Sequence, residues 1–259
     1  MESNHEHTAS NSRYDFAADV LKERLRSLKR GEFIEVGCGQ GYISRLLLDL
    51  GWRGMGYDLN PSAVQKATRL NQAAIAQCQY KVNNEDWFSA QDSKVDLIIS
   101  CMVLEHLDDF KESHFFNRCK QMLKPGGRMI LLVPGSPKHW GIEDEIAGHY
   151  RRYSFSEMQQ RLEQFNFSQI HLAGLTYPLS NWLLPMSNLL VKKAEQKKLK
   201  STMQERTQAS GDRSVLFKTS FPFLLKLILN ETLMYPFHLL QKANLTHPHA
   251  LILYAEATP

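Results

Sequence analysis

A glycine-rich turn between an apolar segment and an amphipathic one limits the folds open to this sequence more than any other feature. Residues 33–36 are typical of a short buried strand, and Gly37, Gly39 and Gly41 follow it at alternate positions. Residues 42–50 then have the apolar periodicity of a helix, which Gly51 ends. Glycines let a ligand approach the backbone with no Cβ in the way, while the helix presents free N–H groups. This order predicts a turn that binds a nucleotide-like ligand.

Apolar segments of strand length alternate with helical segments over the first 176 residues. Residues 95–101 are apolar and almost uncharged, as is typical of a strand buried in a parallel sheet. Residues 250–255 form a further strand after a stretch without one. The alternation predicts an α/β fold with a doubly wound, seven-stranded, mostly parallel sheet. We predict a Rossmann-like domain over residues 1–176, an inserted helical cap over 177–247 and a returning terminal strand over 248–259.

An acidic residue ends the predicted second strand. Asp58 lies 17 residues after Gly41, where a carboxylate can accept hydrogen bonds from both hydroxyls of a ribose. The turn lacks the third glycine of nicotinamide-cofactor proteins, because Tyr42 occupies that position. We therefore expect a different adenosine cofactor. The alternative is a tight glycine turn with an acidic residue on the surface.

Five short motifs follow one another in the first two thirds of the chain. They are FIEVGCGQG at 33–41, GYDLNP at 56–61, NEDW at 84–87, VDLIISC running into LEHL at 95–107, and LKPGG at 123–127. In order and spacing they resemble the motifs of the class I S-adenosylmethionine-dependent methyltransferases, and the resemblance covers residues 14–176. It implies the class I methyltransferase fold, a transferase activity and S-adenosylmethionine as cofactor.

The resemblance also implies which residues bind this cofactor. Asp58 would bind the ribose hydroxyls, Asp86 would accept a hydrogen bond from the adenine amino group, and Trp87 would form an apolar wall beside the ring. Glu35 would orient the turn, and Cys101 would face the cofactor through its backbone. For Trp87 the alternative is a half-buried surface aromatic. The predicted cofactor-binding residues are Tyr14, Glu35, Gly37, Gly39, Gly41, Asp58, Leu59, Asp86, Trp87 and Cys101.

Two polar clusters after the predicted fourth and fifth strands contain candidate catalytic residues. Methyl transfer to a hydroxyl needs an aligned acceptor and a base that removes its proton. We predict His149 as the base, because histidine titrates near neutral pH, with Tyr150 and His106 as further catalytic candidates. The alternative is structural: Arg151 and Arg152 would clamp acidic groups, and His149 would cap the helix that begins near residue 154.

Glu105 and His106 resemble the metal-ligating Glu-His pair of the ubiquinone-biosynthesis O-methyltransferases and of the small-RNA 3′-end methyltransferases. Both families have another glutamate three residues earlier, where this sequence has Met102. One carboxylate and one imidazole form a poor site for a hard divalent ion. The four cysteines have no CxxC spacing, so they indicate neither a zinc site nor a disulfide framework. We predict that the protein binds no metal and that Glu105 begins a helix.

The predicted cap is more basic than the rest of the chain. Residues 177–247 contain ten lysines or arginines and four acidic residues. Residues 190–206 are charged and helix-like, and residues 215–240 are strongly apolar. We expect a helical lid that binds an apolar acceptor, or an amphipathic one near an anionic membrane, with peripheral membrane contact through residues 190–240 as an open option. Nucleic acid is not the expected partner, since the basic residues lie among leucine and phenylalanine.

Together these features predict methyl transfer to an oxygen, or a nitrogen, of a small-molecule acceptor. Two alternatives stay open: an RNA- or ribosome-directed methyltransferase that uses the basic cap, and a regulator that binds the cofactor without turnover. No apolar run reaches the ~20 residues of a membrane span, and residues 1–11 lack the apolar region of a secretory signal. We therefore expect a cytoplasmic protein. The acceptor and the oligomeric state are not predicted.

Overall fold

The structure, a computed structural model, describes residues 12–195 and 231–259. Seven strands form one sheet, in which the strand order is β3-β2-β1-β4-β5-β7-β6. Strands β1 to β5 are parallel, and β7 is antiparallel to both β5 and β6. The strands are β1 (Glu32–Val36), β2 (Arg53–Tyr57), β3 (Tyr80–Asn83), β4 (Val95–Cys101), β5 (Leu123–Pro134), β6 (Ser168–Leu175) and β7 (Ile252–Thr258).

Helices connect most of the strands and cover both faces of the sheet. Within the described residues there are nine α-helices and three short 3-10 turns, at Trp87–Ser89, Leu104–His106 and Pro137–His139. The helices are α1 (Ser12–Ser27), α2 (Tyr42–Asp49), α3 (Pro61–Leu70), α4 (Gln72–Ala76), α5 (Asp109–Met122), α6 (Ile142–Ala147), α7 (Phe155–Gln164), α8 (Leu179–Glu195) and α9 (Glu231–Lys242). The predicted α/β fold with a seven-stranded, mostly parallel sheet is confirmed.

The alternation of side chains along the strands divides the core into two layers. Ile34 and Ile98 face a cluster that includes Phe115 of α5 and Met158 of α7. Their neighbours in the same strands, such as Phe33, face the opposite cluster, which contains residues of α1 and α2. Burial on both faces explains why the central strands are almost wholly apolar in sequence.

The direction of the strand order reverses between β1 and β4. Such a switch point opens a crevice at the carboxyl ends of the two strands, where ligands of doubly wound proteins bind. The glycine turn follows β1 there, and residues 102–106 follow β4. The fold therefore brings the two clusters that the sequence singled out to the same edge of the sheet.

The helical segment between β2 and β3 is divided into α3 and α4. Pro61 and the Asn60 cap begin α3, and α3 ends before Asn71. The buried Asn71 side chain donates hydrogen bonds to the carbonyl oxygens of Gly41 and Ala67. The break therefore ties α3 to the end of the glycine turn, a tertiary role that the apolar periodicity does not encode.

The connection between β6 and β7 contains α8 and α9, and residues 196–230 of it lie outside the described part of the chain. Most of the charged stretch 190–206 and of the apolar stretch 215–240 thus falls on residues that the structure does not describe. The boundaries 1–176, 177–247 and 248–259, and the role of the insertion as a cap, stay predictions. Among the described helices, none is long and apolar enough to pass through a bilayer.

Candidate active site

The glycine turn forms a left-handed loop between β1 and α2. Gly37, Gly39 and Gly41 all have positive φ angles, of 73°, 51° and 82°. No described atom lies within 4 Å of the place where a Cβ on Gly39 would stand, so this side of the loop is open. Gly41 begins α2 without a side-chain cap, and the first turn of α2 carries no acidic residue. The N–H groups at this helix end are available to an anionic ligand group.

Asp58, directly after β2, holds the turn by its carboxylate. Its Oδ2 accepts a hydrogen bond from the Gly39 N–H at 2.8 Å, and its Oδ1 accepts one from the Asn60 N–H at 2.8 Å. The side chain is half-buried, and each carboxylate oxygen has a second lone pair. The carboxylate can therefore accept further hydrogen bonds from two neighbouring hydroxyl groups beside the open loop.

Glu35 lies beneath the turn, inside the protein. Its carboxyl accepts a short hydrogen bond from the hydroxyl of Ser44 on α2, and that hydroxyl lies 2.6 Å from the Tyr80 hydroxyl. Burial raises the pKa of Glu35 to about 8. Glu35 thus links β1, α2 and β3 under the loop, in agreement with a role in orienting the turn.

The structure corrects the prediction for Trp87. Its indole is 2% exposed and belongs to the core, where its ring centroid lies 5.4 Å from that of Phe115 and the Arg118 guanidinium covers it. The 3-10 turn Trp87–Ser89 directs the indole inward onto α5, so its face is not available to a ligand. The preceding Asp86 is exposed and its Oδ1 accepts the Phe88 N–H at 3.0 Å.

The other predicted cofactor residues have different positions relative to the crevice. Cys101 is half-buried at the carboxyl end of β4, one position after the pairing of Ser100 with Val36, and so lies beside the start of the glycine turn. Leu59, which follows Asp58, has an exposed side chain. Tyr14 lies in α1, and its side chain is outside the described part of the structure. A Cβ on Gly37 would collide with the Val103 side chain, so the segment after β4 lies against the turn.

His149 is held by a buried carboxylate. Its Nδ1 lies 2.9 Å from Oδ1 of Asp144, and the same oxygen accepts the Nε–H of Arg152 at 2.8 Å. Oδ2 of Asp144 accepts the Gly141 N–H at 2.9 Å. Burial alone would raise the pKa of Asp144, but the hydrogen bond to His149 and the charge of Arg152 hold that pKa below its ordinary value. An ionised Asp144 keeps the proton of a neutral His149 on Nδ1 and leaves Nε2 as the basic atom.

Glu105 and His106 lie on the other side of the His149 ring. Oε1 of Glu105 is 3.9 Å from Nε2 of His149, and the rings of His106 and His149 are 4.8 Å apart, edge to face. Burial raises the pKa of Glu105 to about 7. Burial, together with the charge of His149, lowers the pKa of His106 to about 4, so His106 is neutral near pH 7. Both carboxylate oxygens of Glu105 lack a hydrogen-bond partner among the described residues.

Three residues that could bind a metal ion lie close together in the structure. Ligand atoms of Glu105, His106 and His149 lie within 4.8 Å of one another, a spacing that is also compatible with a metal ion. His149 comes from the loop after β5, so sequence reasoning did not join it to the Glu-His pair. Glu105 lies in a single 3-10 turn instead of beginning a helix, which corrects that expectation. That the protein binds no metal stays a prediction.

The structural alternative for residues 149–154 is correct for the arginines and wrong for His149. Arg151 contacts Asp109 at 2.6 Å, and Arg152 contacts Asp144. Ser154 itself caps α7, since its hydroxyl accepts the Glu157 N–H and the Glu157 carboxylate accepts from Ser154 in return. His149 therefore has no capping role at α7.

Tyr150 has an exposed side chain, and its backbone N–H donates to the Glu105 carbonyl oxygen at 2.7 Å. That bond joins the loop after β5 to the turn after β4. Asp144 is the functional candidate that sequence reasoning missed. The only signal was its place among polar residues before His149, which does not distinguish it from Glu143 or Glu145.

Two curated proteins are similar to this chain over part of its length. A probable S-adenosylmethionine-dependent methyltransferase of Mycolicibacterium smegmatis is 26% identical over 152 residues, which are 58% of this chain and 57% of the relative. A ubiquinone biosynthesis O-methyltransferase of Xanthomonas oryzae pv. oryzae is 31% identical over 114 residues, which are 44% of this chain and 46% of the relative. The chain thus spans about half the length of these curated relatives.

Solved structures share the fold at low sequence identity. The phosphoethanolamine N-methyltransferase 2 of Haemonchus contortus, in complex with S-adenosyl-L-methionine, is 15% identical with a TM-score of 0.60, covering 97% of this chain and 54% of that chain. The magnesium protoporphyrin IX methyltransferase of Synechocystis PCC 6803 is 21% identical with a TM-score of 0.53, covering 64% and 78%. The family model for the methyltransferase domain matches residues 8–172. Because this match spans more than half of the sequence, the chain belongs to the methyltransferase domain family, transferases that use S-adenosylmethionine as the motifs predict.

Proposed function

We propose that this protein transfers a methyl group from S-adenosylmethionine to a hydroxyl of a small-molecule acceptor, with His149 as the base. The observation that carries the proposal is the contact of His149 Nδ1 with the buried Asp144, which leaves Nε2 to accept a proton at the edge of the sheet that carries the glycine turn. A base is needed for a hydroxyl acceptor and less so for an amine, which favours oxygen over nitrogen as the methylated atom.

The residues around the first crossover fit this cofactor. The open side of Gly39 leaves room for a ligand against the backbone, and the two oxygens of Asp58 would bind the ribose hydroxyls. The uncapped N-terminus of α2 would bind the carboxylate of the methionine part. Asp86 would accept a hydrogen bond from the adenine amino group. When bound, the cofactor supplies a methyl group on a positively charged sulfonium.

The chain's own residues would prepare the acceptor. Asp144 holds the His149 ring in one orientation and in one tautomer, so that Nε2 can accept the hydroxyl proton. The carboxylate of Glu105, 3.9 Å from Nε2, stabilises the imidazolium that results. His106, whose pKa is lowered to about 4, adds a neutral polar ring beside the base instead of a competing charge.

The similarity to curated relatives supports a small-molecule acceptor. One of them is a ubiquinone biosynthesis O-methyltransferase, whose name gives oxygen as the methylated atom. A cytoplasmic location forms part of the same proposal.

The test is incubation of the purified protein with methyl-labelled S-adenosylmethionine and fractionated small-molecule and lipid extracts, followed by mass spectrometry of labelled products. His149→Ala should keep cofactor affinity while turnover falls at least ~100-fold, the usual effect of losing a general base. Asp58→Ala should instead lose calorimetric binding of the cofactor. The matched control is His114→Ala, which removes an exposed histidine of α5 and should change neither quantity.

Two results would contradict the proposal. One is a His149→Ala variant with unchanged turnover, which would exclude His149 as the base. The other is a wild-type chain that binds a nicotinamide dinucleotide in preference to S-adenosylmethionine, which would exclude the cofactor.

A further inference from the structure

Helix α8 has an apolar face that the described part of the protein leaves uncovered. Trp182 is 64% exposed, and Met186 and Leu189 follow it at the i+4 and i+7 positions, each more than half exposed. Leu183 extends this face at the next position along the helix. We call these four side chains the α8 face. A continuous patch of this kind is uncommon on a protein surface and indicates a partner.

The opposite side of α8 packs against α6, which determines the direction of the α8 face. On the opposite side of the helix, Val191 is fully buried and packs with Ile142 and Ile146 of α6. The same short helix α6 carries Asp144, which holds His149. The α8 face therefore points away from α6, the helix that carries Asp144.

The charged residues of α8 are mostly lysines. Lys193 lies on the same stripe, one helical turn beyond Leu189, and Lys192 lies beside it; both are exposed. Residues 179–193 contain no acidic residue, and α8 has one, Glu195, at its C-terminal end. Long lysine side chains at the edge of an apolar stripe can extend their charged ends to a polar boundary while their stems stay among apolar groups.

A second exposed apolar surface lies on α9, at the other end of the same insertion. Tyr235 is 59% exposed, and Phe237, Leu239 and Leu240 are also exposed. This helix forms an exposed ion pair with α1, in which Nζ of Lys242 lies 2.7 Å from Oε2 of Glu23. Both helices of the insertion that the structure describes thus present apolar side chains outward.

We infer that the α8 face binds the surface of a bilayer that contains anionic phospholipids, with the helix lying in the interfacial region. An exposed tryptophan, flexible apolar side chains and an excess of lysine over acidic residues are the features of an interfacial helix. A second copy of this chain fits the face less well, because it would bring the lysines of two α8 helices together without acidic partners. The inference does not depend on His149 or on the identity of the acceptor.

The inference can be tested by sedimentation of the full-length protein with lipid vesicles. We expect binding to vesicles of phosphatidylcholine with 30% phosphatidylglycerol, about that fraction being enough for an anionic surface, and weaker binding to phosphatidylcholine alone. Met186→Glu and Leu189→Glu should each lower the partition coefficient at least about tenfold, since each removes apolar contact and adds a negative charge. A Lys192→Glu, Lys193→Glu double variant should abolish the difference between the two vesicle types.

The matched control is Phe110→Glu, which introduces the same charge at an 80% exposed phenylalanine of α5. It should leave vesicle binding unchanged, and circular dichroism of every variant should show the wild-type melting temperature. Absence of binding to anionic vesicles would overturn the inference, as would equal losses in the Phe110 control. A wild-type dimer in sedimentation velocity that Met186→Glu converts to a monomer would also overturn it, in favour of self-association. Because cofactor binding by calorimetry is measured separately, failure of this inference would not affect the proposed function.

Discussion

Nδ1 of His149 lies 2.9 Å from Oδ1 of Asp144, a carboxylate with no exposed surface. Asp144 is itself fixed by Arg152 and by the Gly141 N–H, so the carboxylate cannot turn away from the imidazole. A histidine held in this way does not have to be oriented at the moment of reaction, which is how positioned bases gain part of their effect.

Asp144→Asn should lower kcat at least about 10-fold, because an amide can present its NH₂ group to Nδ1 and so favour the wrong tautomer. Cofactor affinity should not change, because the segment proposed to bind the cofactor is the glycine turn after β1, whereas Asp144 is on α6, after β5. The measurement is kcat across pH 5.5–9 together with calorimetry. A positioning role also predicts a displaced pH profile of kcat, which a purely structural defect would not produce.

The control for Asp144 is Glu145→Gln, on the same short helix but exposed. It removes one negative charge within one residue of Asp144 and should leave the pH profile as in the wild type. If both variants lose activity equally with the same profile, the helix as a whole is sensitive and Asp144 has no special role.

The positions of the glycine turn and of Asp58 in the fold could be predicted from the sequence because their determinants are local. A strand, a positive-φ glycine turn and a helix are adjacent in the chain, and Asp58 follows the next strand in order. Each of these residues therefore has its place fixed by one βαβ unit, and such units are almost always right-handed.

The contacts among the catalytic candidates could not be predicted, because they depend on packing between distant segments. Glu105 and His149 are 44 positions apart, and the backbone bond from Tyr150 to Glu105 joins their loops. Trp87 was assigned to the cofactor for a related reason: its motif fixes a position after β3, whereas the direction of its side chain depends on Phe115 of α5. Spacing in sequence contains no information on either contact.

Gly39→Ala should weaken cofactor binding at least about tenfold, equivalent to 1.4 kcal/mol. A Cβ at Gly39 meets no described protein atom and would occupy the space proposed for the ligand. The matched control is Gly126→Ala, which also has a positive φ and open space but lies before the buried part of β5. Both variants should lose about 1 kcal/mol of stability from the left-handed backbone. Equal cofactor affinity in the two variants, measured by calorimetry, would rule out a close ligand at Gly39.

Glu35→Gln should change the pH dependence of stability. Since burial raises the pKa of Glu35 from 4.5 to about 8, the folded state binds a proton that the unfolded state releases between these pH values. The free energy of unfolding of the wild type should therefore fall as pH rises from 5 to 8, and glutamine should remove this contribution. We expect the variant to gain on the order of 2–4 kcal/mol relative to wild type at pH 8 compared with pH 5.

The measurement for Glu35 is urea denaturation at the two pH values. Glu32→Gln, at the exposed start of the same strand, serves as the control and should show no such gain. A difference between Glu35→Gln and wild type that is the same at both pH values would mean that the carboxyl is ionised in the folded protein throughout this range.

Glu256→Gln should destabilise the fold by about 2–4 kcal/mol at pH 7. The buried carboxylate in β7 accepts hydrogen bonds from Arg24 of α1 at 2.6 and 2.7 Å, from Arg128 of β5 at 2.7 Å and from the Tyr254 hydroxyl at 2.8 Å. Glutamine retains the shape but loses the charge that these donors require. Burial alone would raise the pKa of Glu256, but the bonds from Arg24 and Tyr254 bring that pKa below 4.5.

The sign of the pH effect at Glu256 is therefore opposite to that at Glu35. The stabilisation is present above pH 4.5 and is lost as pH falls through the lowered pKa, so the wild type and Glu256→Gln should converge in stability on acidification. Asp49→Asn provides the comparison, because it breaks an exposed pair with Arg45 and should cost no more than ~1 kcal/mol. Equal losses for Asp49 and Glu256 in urea denaturation at pH 7 would mean that the Glu256 contacts, which join α1 to the sheet, contribute no more than a surface ion pair.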